Sequence, residues 1–103
     1  MFVDIIVNMK ATLIDRQRHT FPDGNILEIV IWEVPERVAG SQHSYKYRLF
    51  YGNSNERIVG YDNERPKGDH RHYRDHEEPY TLVSIEQLIA DFLTDVKQFR
   101  RKQ

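Results

Sequence analysis

Residues Ile26 to Val34 read ILEIVIWEV, a run crowded with β-branched side chains and flanked by turn residues on both sides. Such side chains pack well on a pleated surface, so the run reads as a strand. Alternation puts Leu27, Ile29 and Ile31 on one face and Val30, Trp32 and Val34 on the other. Apolar residues on both faces mark a strand covered on both sides, central in a sheet. In that setting Trp32 reads as a core or interface side chain rather than a ligand platform.

The neighbouring segments extend the same sheet. Upstream, Pro22-Asp23-Gly24-Asn25 is a turn, because Pro sets φ while Gly and Asn tolerate positive values. Before it, Lys10 to Phe21 (KATLIDRQRHTF) has the composition of a strand. Downstream, a loop over Pro35 to Ser44 leads into Tyr45 to Tyr51 (YKYRLFY), with Tyr45, Tyr47, Leu49 and Tyr51 on one face and Lys46 and Arg48 on the other. Gly52-Asn53-Ser54-Asn55 is a hairpin turn, and Arg57 to Asp62 returns as the next strand.

The chain closes with helix signals. Ser84 is an N-cap and Gln87 completes a capping box, with Val83 and Leu88 at the positions of a hydrophobic staple. Ile85, Leu88, Ile89, Phe92, Val96 and Phe99 recur every three or four residues, which gives one apolar stripe. Lys97, Arg100, Arg101 and Lys102 crowd the C-terminal end, where the helix dipole favours cations. The expected architecture is α+β: an antiparallel meander of about four or five strands with a C-terminal amphipathic helix packed on one face. The expected divisions are sheet over 10–62, a functional loop over 63–83 and helix over 84–103, all in one domain.

At 103 residues the chain has room for one domain. With 39% hydrophobic and 30% charged residues it reads as globular rather than disordered. The absence of Cys excludes disulfides, thiolate nucleophiles and zinc–thiolate sites, and suits a cytoplasmic location. Met1 to Met9 (MFVDIIVNM) lacks the basic start and cleavage site of a signal peptide and is too short to span a membrane. It reads as an added edge strand or as an extension from an upstream start codon, with Met9 as an alternative start. No membrane association is expected.

A net charge of −1 argues against a protein that coats nucleic acid generally. The charge is unevenly spread, however. Arg57, Arg65, Lys67, Arg71 and Arg74 outnumber the acids between them and are joined by His70 and His72. From Asp75 to Asp95 there are only acids among the charged residues.

The chemistry is therefore densest in Gly60 to Tyr80, GYDNERPKGDHRHYRDHEEPY. Long polar loops in small domains are usually functional or disordered. Here Tyr61, Tyr73 and Tyr80 offer anchors against disorder. A metal reading rests on His70, His72 and His76 with Asp69 and Asp75 interleaved, since His70 and His72 would share a face of a strand. Arg71 and Arg74 beside them would oppose a dication.

The acid–base reading fits better. Cleaving RNA without metal needs a base for the ribose 2′-hydroxyl, an acid for the leaving oxygen and cations for the phosphorane. Histidine suits both proton transfers and arginine's fork matches phosphate. Arg65, Lys67, His70, Arg71 and His72 place these parts within a few residues, and Gly68 would let the backbone approach a phosphate. Tyr61 or Tyr73 would stack on an unpaired base. The same residues also read as a solvated ion-pair network in which Asp62, Glu64, Asp69 and Asp75 pair with Arg65, Lys67, Arg71 and Arg74. Glu77 and Glu78 read as solvated, and His19 and His43 as surface residues.

Residue order adds a further indication. Gly60-Tyr61-Asp62-Asn63-Glu64-Arg65, then Lys67-Gly68-Asp69-His70-Arg71-His72, then Glu77-Glu78-Pro79-Tyr80 resembles the signature of the TumE-like toxins. The resemblance extends to Leu27–Pro35, Tyr45–Leu49 and Val83–Phe92. It implies a growth-inhibiting bacterial toxin, one half of a toxin–antitoxin pair. A cognate antitoxin with a helix-turn-helix domain would hold it inactive, and RNA is the implied target class.

By motif position, the resemblance makes Tyr61, Asp62, Arg65, Lys67, Asp69, His70, Arg71 and His72 site candidates. His70 and His72 would transfer protons, Arg65, Lys67 and Arg71 would stabilise phosphate, and Asp69 or Asp62 would orient a histidine. Pro66 stands where a small flexible residue is expected and removes an amide donor. No cofactor and no metal ligand is assigned. Two alternatives to the metal-independent ribonuclease remain: a non-catalytic module that blocks a nucleic-acid or protein target, and a His-ligated metal enzyme. Tyr45, Tyr47, Tyr51 and Tyr61 read equally as core or as a homodimer surface.

Overall fold

The computed structural model describes residues 10–101. Among these, β1 (Thr12–Thr20), β2 (Ile26–Glu33), β3 (Tyr45–Gly52), β4 (Arg57–Glu64), β5 (Gly68–Tyr73) and β6 (His76–Pro79) precede α1 (Ile85–Arg101). The strands form one antiparallel sheet in the order β1-β2-β3-β4-β5-β6, each pairing with its neighbour in sequence. The α+β meander is as expected, but it has six strands rather than four or five. The additional pair is the β5–β6 hairpin, which occupies most of the stretch expected to be a functional loop over 63–83. Its strands are built from charged residues and histidines, so no apolar alternation betrays them. The strand proposed for residues 1–9 lies outside the described residues. No helix among the described residues is long and apolar enough to cross a membrane.

The hydrophobic core lies on one face of the sheet. Leu27, Ile29 and Ile31 from β2, Tyr47, Leu49 and Tyr51 from β3, and Val59 and Tyr61 from β4 meet Leu88, Phe92 and Val96 of α1. Tyr47, Tyr51 and Tyr61 are essentially sealed from solvent, so these three are core side chains rather than a dimer surface. Among the described residues the opposite face carries no second layer, and Val30 and Trp32 are only half-buried there rather than sealed as expected of a strand covered on both sides. β1, at the edge, is exposed along almost its whole length.

Tyrosine hydroxyls fix the helix over β4 and β5. Tyr61 and Tyr73 both donate to Asp95, the latter at 2.8 Å, and Tyr80 donates to Asp91 at 2.7 Å. Phe92 meets the Tyr61 ring edge-on at 6.0 Å, and Phe99 stacks on Tyr73 at 6.3 Å. At the far end Arg100 lies over the Phe21 ring and donates to Tyr51 and Asp23, which ties α1 to the β1–β2 turn.

Ser84 caps the helix through a 3.0 Å bond from the Gln87 amide. The rest of the expected capping signature does not form. The Gln87 side chain reaches forward to Asp91 instead of back to Ser84, and Val83 is 78% exposed while Leu88 is buried, so there is no staple. Leu82 is the residue that turns toward the core.

Phe92→Ala is expected to destabilise the protein by about 3–5 kcal/mol, because it empties the centre of the apolar interface between sheet and helix. The fall in the urea unfolding midpoint measures this. A second expectation concerns pH. Burial, reinforced by the bonds to Asp95, Asp69 and Asp91, raises the pKa of Tyr61, Tyr47 and Tyr80 above the usual phenol value. A phenol held protonated in the folded state stabilises fully below the unfolded pKa of about 10 and progressively less above it. Stability should therefore drop steeply above about pH 10, and a urea midpoint unchanged between pH 8 and pH 11 would contradict the tyrosine anchors.

Candidate functional site

Alternation along β5 divides the motif between two faces. Asp69, Arg71 and Tyr73 point to the helix side, while His70 and His72 point to the open face. The tightly spaced sequence DHRHY is thus two separate sets of side chains with the sheet between them.

On the helix side, Asp69 accepts hydrogen bonds from Ser41 at 2.5 Å, His43 at 2.6 Å and Tyr47 at 2.7 Å. It therefore orients neither His70 nor His72, contrary to the sequence expectation. His43 is likewise no surface residue: its Nε2 faces Asp69 and its Nδ1 accepts the Tyr45 amide. Asn63, fully buried beside them, donates to Ser41 and to the Tyr45 carbonyl and accepts the Tyr47 amide. This network is possible because the β2–β3 loop touches the β4–β5 turn at two glycines. Gly68 has φ +81, and a Cβ there would meet the Gly40 carbonyl oxygen at 2.5 Å. The close approach expected of Gly68 is thus to Gly40, not to a phosphate.

The other helix-side candidates are also committed to structure. Arg71, expected to stabilise phosphate, pairs with Glu78 at 2.6 Å and lies over the Tyr73 ring, on the other face of β5 from His70 and His72. Tyr61 lies under α1 and Tyr73 is stacked on Phe99 and bonded to Asp95, so neither ring offers a face to a base.

The open face gathers the remaining candidates. His72, 5% exposed, lies between Arg57 and Asp62. An arginine can only donate, so the 2.9 Å contact of Arg57 Nη2 with Nδ1 makes Nδ1 an acceptor and leaves the proton on Nε2. That Nε2 faces Asp62 Oδ1 at 3.4 Å without a formed hydrogen bond, and both atoms are buried without another partner. An unsatisfied donor–acceptor pair so close together can tighten at little structural cost.

His70 is set by Nδ1 against the Gly68 carbonyl at 3.0 Å, and its Nε2 faces Glu77 at 3.6 Å. Lys67 holds Glu77 from the other side at 2.9 Å, and this contact keeps the Glu77 carboxyl below its ordinary pKa. Glu77 is thus part of the arrangement rather than an idle solvated acid. Arg65 lies exposed in the β4–β5 turn. Of the sequence candidates, His70, His72, Asp62 and Lys67 come together on this face, whereas Asp69, Arg71, Tyr61 and Tyr73 do not. Among the described residues, no three His, Asp or Glu side chains are arranged to hold a metal ion.

Sequence reasoning missed Arg57. It counted this residue within the basic segment without nominating it, because its link to His72 exists only through the β4–β5 pairing. One signal was present: Gly60, opposite His72 in register, leaves the surface over which the Arg57 stem crosses. A Cβ at Gly60 would meet Arg57 Cδ at 2.6 Å.

Among the described residues, the fold and this face define a six-stranded sheet with a helix on one side and a histidine–arginine cluster on the other. The family model described as Toxin TumE matches residues 6–100. The chain therefore belongs to the TumE toxin family and has the role of a toxin. No curated protein and no solved structure matches it.

Gly60→Ala should push the Arg57 stem aside and break its contact with His72 while the fold persists, because the displaced group is flexible. A changed ¹⁵N signal for His72 Nδ1 alongside an unaltered amide spectrum elsewhere is the expected result.

Proposed function

We propose that this toxin cleaves RNA without a metal ion, with His70 and His72 as the proton-transfer pair. The observation that carries the reading is their common position on the open face of β5. Two residues apart on a strand, their Cα atoms are separated by roughly 6–7 Å, enough to flank one phosphate. Asp62 is the orienting carboxylate: its Oδ1 stands 3.4 Å from Nε2 of His72 and closes on that proton when the site tightens, so that the Nδ1 lone pair is the basic position. Arg57, which now covers Nδ1, is the natural phosphate ligand. When its guanidinium turns to a substrate phosphate, Nδ1 is released beside the 2′-hydroxyl. His70 then protonates the leaving oxygen, and Lys67 and Arg65 supply further positive charge.

Inactivation by a cognate antitoxin carrying a helix-turn-helix domain belongs to the same proposal. It would act through acidic side chains laid over the Arg57–His72 face. A second reading, a toxin that blocks its target without cutting it, is favoured by the closure of His72 under Arg57. One experiment separates the two. The chain is induced in a bacterial host beside His70→Ala and His72→Ala forms, and total RNA is followed in extracts with and without EDTA. Growth arrest with RNA decay that EDTA leaves unchanged, and that each substitution slows about 10²–10⁴-fold, is expected. Arrest with intact RNA would favour the blocking toxin, and decay abolished by EDTA would favour a metal enzyme.

A further inference from the structure

A cleft of about 570 Å³ opens on the same face, beyond Arg57. It is an open depression lined by Arg48 and Phe50 of β3, Arg57 of β4, and Glu56, Arg74 and Asp75 from the flanking turns. None of these residues belongs to the three runs that carry the family resemblance. The volume falls within the roughly 300–1,000 Å³ of small-ligand sites, ample for a single nucleotide.

Three features point to one kind of occupant. First, Arg48 lies over the Phe50 ring at 4.9 Å, which pairs a cation with a half-buried aromatic in the lining. Aromatic and guanidinium planes are the surfaces on which unpaired bases stack. Second, Arg57 belongs both to the cleft and to His72, so a phosphate held by its guanidinium lies against the imidazole. Third, Arg74 occupies the two-residue β5–β6 turn with φ 56, a left-handed conformation in which Gly or Asn is the relaxed choice. Glu56 pairs with Arg74 and holds it there. The Arg74 amide also bonds the Ile58 carbonyl and its guanidinium lies 5.6 Å over the Phe99 ring, so the arginine is anchored at the lining of the cleft despite the positive φ.

We infer that this cleft is a nucleotide subsite for single-stranded RNA. The base stacks on Phe50 and Arg48, and the adjoining phosphate bridges Arg57 and Arg74. The inference rests on the nuclease reading for its substrate but not for its binding. The cleft would hold the nucleotide next to the phosphate that reaches His72, and so would set which base is tolerated beside the cut.

Binding is tested apart from cleavage with a fluorescein-labelled, single-stranded 2′-O-methyl oligonucleotide of mixed sequence, which has no 2′-hydroxyl to attack. Fluorescence anisotropy is measured for the full chain and for Phe50→Ala and Arg74→Gly. Phe50→Ala should weaken binding about tenfold, the usual scale for losing one base–aromatic stack. Arg74→Gly should weaken it severalfold and flatten the salt dependence. Gly relieves the positive φ but removes the Glu56 pair and the Phe99 contact, so the melting temperature of each variant is measured beside its affinity. Weaker binding by a variant that is still fully folded at the assay temperature separates a binding loss from a folding loss.

Affinity unchanged in both variants would overturn the subsite, as would unmodified RNA being cut by both variants at the parent rate. Oligonucleotide binding that depends on Phe50 and Arg74, without any cleavage of unmodified RNA, would uphold the subsite and count against the nuclease alone. No oligonucleotide binding, with poly-glutamate held through the same residues, would overturn the RNA assignment and give the cleft to an acidic protein partner.

Discussion

Two tyrosine hydroxyls, from Tyr61 on β4 and Tyr73 on β5, converge on the single carboxylate of Asp95 and hold the helix to the sheet. The rest of the molecule follows from that clamp. It centres Phe92 over the Tyr61 ring, and the apolar sides of β2, β3 and β4 close beneath it. Among the described residues there is one helix, and it closes one side of the sheet. On the other side the described side chains of β4 and β5 are free to be chosen for chemistry rather than packing.

This division explains why the densest stretch of motif serves two purposes. Along Asp69-His70-Arg71-His72-Tyr73 each residue faces the opposite way from the next. Asp69 draws the β2–β3 loop onto the sheet through Ser41 and His43, and Arg71 links β5 to β6 through Glu78. His70 and His72, between them, project to the uncovered side. A dense run of polar residues in a family signature is thus partly a record of how a charged strand is held in place.

The sequence was legible wherever an apolar period was present. β2 and β3 follow from alternation, α1 from its stripe and Ser84, and the two turns from Pro22–Asn25 and Gly52–Asn55. It was opaque where pairing depends on distant partners. β5 and β6 have little apolar pattern, so only their register with β4 reveals them as strands. His43 meets Asp69 across 26 positions and Arg57 meets His72 across 15, and no local spacing encodes either contact. The failed staple is different in kind: both Leu82 and Val83 are apolar, and packing selected the former.

The order of elements also bears on how the chain comes into being. Every strand pairs with its immediate neighbour, so each hairpin can close as soon as its second arm has been synthesised, without waiting for a distant segment. The exception is α1, which comes last yet covers the apolar side of strands made far earlier. Until α1 has been made, the growing sheet therefore carries an uncovered apolar surface. The anchors for its lid, Asp91 and Asp95, follow all six strands along the chain, and so the sheet waits for them with its apolar side bare.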